Sequence, residues 1–175
     1  YTTLFRSGEI DFVLVTHAHI DHSGRIPMLL KQGFQGRIFA TRLTAQLLDI
    51  MLQDSAHIQE SDAEYQNRKN LRAGRPTVEP LYTVEVAQRV REFLTTCEYG
   101  EKVDLCEGVS MECIDAGHLL GSASMKLTLT ENGETRTIVF SGDIGNVDQP
   151  IIRDPQFCHE ADFVVMESTY GNRNH

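Results

Sequence analysis

Thr16-His17-Ala18-His19-Ile20-Asp21-His22-Ser23-Gly24 places four side chains able to hold a metal ion, His17, His19, Asp21 and His22, within six consecutive residues. Upstream, Ile10, Phe12, Val13, Leu14 and Val15 make a short apolar run rich in β-formers, which reads as a buried strand. The histidines therefore stand at a strand end. If the backbone stays extended through them, His17 and His19 project to the same side and can close on one ion. Ser23-Gly24 and Pro27 mark the start of a helix carrying Ile26, Met28, Leu29 and Leu30. Asp21 and His22 then fall where the chain turns, and can face a second ion. Imidazole nitrogen and carboxylate oxygen suit zinc, and a hydrolytic site keeps one position open for water. A His-x-His pair alone reads equally well as a helix cap or a solvated loop. Asp21-His22 in register, with the partners downstream, turns the reading to half of a two-zinc hydrolytic site.

The 175 residues suffice for one domain with a core, and 41% hydrophobic with 23% charged residues is ordinary for a globular chain. No apolar run approaches the ~20 residues that cross a bilayer, and no basic-then-apolar leader opens the sequence, so no membrane association and a cytoplasmic location are expected. Cys97, Cys106, Cys113 and Cys158 match no Cys-x-x-Cys zinc pattern and are too few for a disulfide scaffold, which makes them reduced core residues. The formal charge of −9 counts against a surface that seeks nucleic acid generally. Divalent ions at the site would offset that field locally.

Along the chain, Arg37 to Ala40 reads as a short strand, and Thr41 as the cap of a helix whose Leu43, Leu47, Leu48, Met51 and Leu52 form an apolar face. Residues from about 54 to 73 are polar and charge-dense, a helical excursion with few apolar anchors, in which His57 is solvated. Thr83 caps a further helix expected to run through Leu94, with Glu85 in its first turn. Beyond Gly100 the period changes to strands: Val103 and Leu105, then Val109, Met111 and Cys113, then Met125, Leu127 and Leu129, with Asn132-Gly133 as a hairpin turn. Asp115-Ala116-Gly117-His118 and Ser141-Gly142-Asp143-Ile144-Gly145 each set a candidate ligand at a strand end beside glycines, which allow sharp turns and close approach. Phe163 to Met166 is a last strand that delivers Glu167. Ligand types recurring at four strand ends indicate one site at a sheet rim, as in α/β enzymes.

These residues together resemble the metallo-β-lactamase fold and, more narrowly, its β-CASP nuclease branch of RNA-processing enzymes. Thr16 to Pro27 is similar to the His-x-His-x-Asp-His motif and its continuation. Gly117-His118 and Ser141-Gly142-Asp143 resemble the third-histidine and bridging-aspartate motifs, and Phe163 to Gly171, with Glu167-Ser168-Thr169-Tyr170-Gly171, resembles the branch's own acidic motif. The first motif specifies the superfamily, which also holds lactamases, thioesterases and glyoxalases; the last narrows it. The resemblance implies an α/β chain, a metallo-β-lactamase αββα sandwich over 1–175 lacking the opening strands, the β-CASP insertion and the C-terminal part. It implies two Zn2+ ions, with His17, His19 and His118 on one, Asp21 and His22 on the other, and Asp143 bridging. Asp21 and Glu167 are the expected catalytic residues: Asp21, together with Asp143, would orient the attacking water, and Glu167 resembles the family's acidic partner in leaving-group protonation. His159 and His175 lie too near Glu167 in sequence to be the downstream histidines of the family and stay unassigned.

The function implied is hydrolysis of phosphodiesters in RNA. Two rivals stay open at this stage: a small-molecule hydrolase acting on a thioester or amide with the same core, and a non-catalytic scaffold subunit of an RNA-processing complex. Glu167 also has an alternative reading as a carboxylate capping a following turn. Missing flanking strands would leave exposed sheet edges, so pairing with a second copy, or disorder near Tyr1 and His175, is expected.

Overall fold

A computed structural model describes residues 6–169 and 171–173. Tyr170 of the acidic motif, His175 and the expected disorder near Tyr1 and His175 lie outside the described residues. The chain is mixed α/β, with eight strands and four α-helices in the described part. β1 (Phe12–Leu14), β2 (Arg37–Thr41) and β3 (Leu94–Cys97) form a three-stranded sheet in that order. β4 (Lys102–Cys106), β5 (Val109–Asp115), β6 (Ala123–Glu131), β7 (Glu134–Phe140) and β8 (Phe163–Val165) form a five-stranded sheet, also in chain order. The residues group into two compact units. One takes the described residues through Val13, with Ala18–Ile38 and Ala45–Thr95; the other takes Leu14–His17, Phe39–Thr44 and the described residues from Thr96.

In the first unit, α1 (Ile20–Ser23) begins before the Ser23-Gly24 signal, so Asp21 and His22 stand on a helical turn rather than in a loop leading to one. The reason is local: Ser23 Oγ donates to the carbonyls of Ala18 (3.1 Å) and His19 (2.9 Å), which closes the turn around His19. α2 (Ile26–Lys31) follows, with Pro27 in its first turn, where a missing N–H costs nothing. α3 spans Arg42–Arg72 as one helix. Ala45, Leu48 and Leu52 are buried in its first half, and Ala56, Ala63 and Asn70 continue the stripe at seven-residue steps. The returning segment is tied to this second half. Asn67 exchanges two hydrogen bonds with Val78, Asn70 Nδ2 donates to Pro76 O (2.9 Å), and the buried Tyr82 meets Ser55 Oγ at 3.1 Å. His57 is exposed.

α4 (Val84–Arg89) is capped by Thr83 Oγ1, which accepts from Val86 N at 3.4 Å. It ends sooner than its periodicity predicts: Val90–Glu92 is a single 3-10 turn, and Leu94 opens β3. Phe93-Leu94-Thr95-Thr96 is aromatic and β-branched, and the Phe93 carbonyl accepts from Ile38 N (2.9 Å), so sheet pairing outweighs the continuing helical period.

In the second unit, β5, β6 and β7 form an antiparallel meander, and β8 adds parallel to β7. Asn132 (φ 51°) and Gly133 (φ 81°) make the tight turn between β6 and β7. Met111, Cys113 and Met125 are buried on the inner face, and Cys113 opposes Met125 in register. Of the four cysteines expected in the core, Cys97 and Cys113 are buried, Cys158 is half-buried and Cys106 is exposed. Cys106 falls on the outward alternation of β4, an edge strand with a partner on one side only. Burial, then the neighbouring Cys97, pushes the Cys113 thiol up to about 12.

Three measurements test this packing. Leu52→Ala removes a wholly buried side chain and is expected to cost about 2–5 kcal/mol in denaturant unfolding. Ile50→Ala, at 67% exposure two positions away, is expected to stay within about 0.5 kcal/mol. With a thiol reagent at mildly alkaline pH, Cys106 is expected to react first and Cys97 and Cys113 only on unfolding, since only a thiolate attacks. The Cys113 contribution to stability should be intact below the ordinary thiol pKa and fade as pH rises toward about 12, because the unfolded chain releases that proton first.

Candidate metal centre

Three loops at strand ends build the site, and each is held by hydrogen bonds to its backbone, several of them from residues far along the chain. The first leaves β1: Thr16 O accepts from Ala123 N (2.7 Å), and Thr16 Oγ1 lies 3.1 Å from Nδ1 of the fully buried His17. Engaging Nδ1 orients the ring and directs Nε2 to the next loops. The second loop, between β5 and β6, carries His118. Gly117 takes φ +61°, and its N–H donates to Asp115 Oδ1 at 3.0 Å. Ser122 Oγ accepts from the amides of both His118 (3.0 Å) and Leu119 (3.2 Å). The buried hydroxyls of Thr41 and Thr44 donate to Gly121 O at 2.6 and 2.7 Å. Tyr99 Oη donates to Ser122 O (2.8 Å), and burial, then the Asp115 charge, raises its pKa so that it stays a donor.

The third loop follows β7 and carries Asp143. Ser141 N donates to Val165 O (2.9 Å), and Ser124 Oγ donates to Ser141 O (2.8 Å). Gly142 takes φ +57°, and a β-carbon there would lie 2.8 Å from Thr16 Cβ. Gly145 N donates to Ala116 O (2.9 Å), and a β-carbon on Gly145 would run into the Gly117 carbonyl. Gly145 thus permits the contact between the His118 and Asp143 loops, and Gly142 permits the approach of the Asp143 loop to Thr16.

The result is a compact donor set. His17 Nε2 lies 3.7 Å and His118 Nε2 3.6 Å from Asp143 Oδ2, and the two rings meet edge to face at 5.1 Å. His19, two residues after His17, offers a fourth atom, and the four ligand atoms all lie within 4.8 Å of one another. Hydrogen bonds would draw such pairs to about 2.7–3.2 Å. Donors arranged tetrahedrally at about 2.0–2.2 Å from one ion stand roughly 3.3–3.6 Å apart, close to the separations of the His17 and His118 nitrogens from Asp143 Oδ2. Nitrogen and carboxylate donors at this spacing fit a divalent cation. Asp21 and His22 stand side by side on α1, with His22 Nε2 3.7 Å from Asp21 Oδ2, and are not members of this group.

Glu167 is half-buried just beyond β8. Its Oε1 accepts from Ile144 N at 2.7 Å, and its own N–H donates to Ser141 Oγ at 3.1 Å. The carboxylate therefore does cap a turn, but the one around Asp143 rather than one that follows it. The sequence does not by itself show that Asp115 and Ser122 hold the His118 loop. The signal for Asp115 was there, since Asp-x-Gly is the pattern of an Asx turn; nothing local marked Thr41 and Thr44 as partners of Gly121.

This arrangement defines the class. Residues 5–175 match the family described as the beta-lactamase superfamily domain, and the chain belongs to that superfamily. It is 37% identical over 171 residues to "Ribonuclease TTHA0252" of Thermus thermophilus, covering 98% of this chain and 34% of that protein. It is 30% identical over 173 residues to "Transcription termination factor FttA" of Pyrococcus abyssi, covering 98% of this chain and 24% of that one. The chain thus spans about a quarter to a third of the length of these relatives. Among solved structures it matches the native FEZ-1 metallo-beta-lactamase from Legionella gormanii, with a TM-score of 0.49 and 20% identity over 84% of this chain and 48% of that one.

Gly145→Ala tests the loop contact. The added methyl meets backbone and cannot rotate away, so unfolding by denaturant is expected to show a loss of about 1–3 kcal/mol. Wild-type stability would mean that the two loops do not approach as described.

Proposed function

We propose that this chain carries the metal-binding part of a zinc-dependent ribonuclease of the β-CASP branch. The observation that carries the reading is the group of His17, His19, His118 and Asp143, whose donor atoms lie within 4.8 Å of one another. The motif at Glu167 and the name of the Thermus thermophilus relative, a ribonuclease, support RNA as the substrate. Asp21 and His22 would complete the ligand set for a second ion, and Asp143 would serve both. Zinc, when bound, supplies Lewis acidity and makes water a usable nucleophile near neutral pH. His17 serves as a neutral ligand, its ring orientation set by Thr16. Asp143, close to both imidazoles, balances the positive charge of the centre. Asp21 accepts a hydrogen bond from the attacking water and orients it toward phosphorus. Glu167 takes part in protonating the departing oxygen.

Calorimetric titration of zinc into the metal-free chain is expected to give a tighter step, from His17, His19 and His118, and a weaker one that Asp143→Ala reduces. The protein containing this chain is expected to cleave single-stranded RNA, to stop when a chelator is added, and to lose cleavage on the double change His17→Ala, His19→Ala. Undiminished cleavage by that double variant sinks the reading. Chelator-sensitive turnover of a thioester or amide with RNA left intact would move the chain to the small-molecule hydrolases.

A further inference from the structure

Asp143 sits in a loop that its own residues do little to fix. Gly142 before it takes φ +57°, a conformation open to glycine, and Gly145 lies two residues beyond. Pinning the peptide after Asp143 fixes the position of its carbonyl carbon, and with it the rotation about the Asp143 N–Cα bond that carries the side chain. That peptide ends in the Ile144 N–H, and the Ile144 N–H donates to Glu167 Oε1 at 2.7 Å. A carboxylate acceptor at this distance makes one of the stronger bonds available to a backbone amide. Glu167 is held in turn, since its own N–H donates to Ser141 Oγ (3.1 Å) and Val165 O accepts from Ser141 N (2.9 Å). The end of β8 and the Asp143 loop are thus fastened at both sides of Asp143.

We infer that Glu167 is a positioning residue for Asp143, acting through the Ile144 amide to set the geometry of the metal centre. The inference rests on the proposed metal role of Asp143 and adds a function for Glu167 distinct from proton transfer. With Oε1 engaged by Ile144, any proton transfer falls to Oε2. The two functions separate in the variants: Gln keeps a carbonyl acceptor for Ile144 and loses the acid, whereas Ala loses both.

The test uses zinc titration by calorimetry together with amide hydrogen exchange at Ile144. Glu167→Ala is expected to weaken the zinc step that depends on Asp143 about tenfold, the lower end for groups that orient a ligand from behind. It should also speed exchange at Ile144. Glu167→Gln should hold zinc affinity within a few fold of wild type and keep Ile144 protected, while lowering RNA turnover. Asp143→Ala with Glu167→Ala should bind zinc no more weakly than Asp143→Ala alone, because the two act through one ligand. Wild-type affinity in Glu167→Ala, equal losses in the Gln and Ala variants, or additive losses in the double variant would each overturn the inference. If Glu167→Ala fails to fold, Glu167→Gln decides: kept affinity supports positioning, and lost affinity overturns it. A wild-type chain that takes up no zinc overturns the metal reading itself, and unchanged Ile144 exchange in Glu167→Ala then still overturns the contact.

Discussion

Between Gly117 and Gly145 there is no room for a β-carbon, and the candidate site depends on that fact. The Ala116 carbonyl accepts from Gly145 N, and the backbones at Gly117 and Gly145 are so close that a methyl on Gly145 would meet the Gly117 carbonyl. This approach is what sets His118 and Asp143 within 3.6 Å of each other, though 25 residues separate them. A similar constraint acts at Gly142 against Thr16, the residue whose hydroxyl lies against the ring of His17. The side chains proposed as ligands would supply the chemistry, and glycines supply the proximity. Substituting a ligand would remove one donor, but substituting one of these glycines would displace a loop.

The outline of this arrangement was readable because its signals are short-range. Strand, turn and ligand-type residue follow one another within a few residues at His17, His118 and Asp143, and period-two alternation together with Asn132-Gly133 marks the β5 to β7 meander. What the sequence concealed was held by partners far along the chain. Residues 54–72 looked weakly anchored because their buried positions are Ala56, Ala63 and Asn70, which carry little hydrophobic signal, and because their stability comes from bonds to Val78, Pro76 and Tyr82 on the returning segment. The helix after Thr83 stopped early for a related reason: Phe93 and Leu94 fit a helical period, and only the pairing of Phe93 with Ile38 decides for strand. Cys106 shows the limit of composition, since a cysteine on an edge strand is buried or exposed according to the alternation alone.

The same distinction runs through the site. The ligand-type residues were visible by kind and spacing, whereas the residues that hold them were not. Asp115, Ser122, Thr41 and Thr44 are small polar side chains whose partners are backbone groups of the His118 loop. Such residues are abundant in any loop, so their identity is weak evidence until the fold shows what they face. Their work is to satisfy the amides and carbonyls of a tight turn that regular structure cannot reach, and so to keep His118 in one orientation.

β8 carries this logic to its end. Phe163, Val164 and Val165 are 58%, 58% and 54% exposed, so apolar burial holds the strand that leads to Glu167 only in part. Its parallel pairing to β7 covers three residues, a short ladder on a sheet edge. Carboxylates fasten it at both ends. Before the strand, Asp162 Oδ2 accepts from the Thr137 amide (2.7 Å) and hydroxyl (3.0 Å), bonds that lower the Asp162 pKa and favour its charged form. After the strand, Glu167 accepts from Ile144. Because a depressed carboxyl pKa stabilises the fold above the ordinary carboxylate range and loses that contribution as pH falls through the lowered value, the Asp162 fastening is at full strength at neutral pH and weakens in acid. A strand whose side chains stay more than half exposed is therefore kept in register in part by carboxylate bonds to backbone, and the position of Glu167 against the Asp143 loop inherits that dependence.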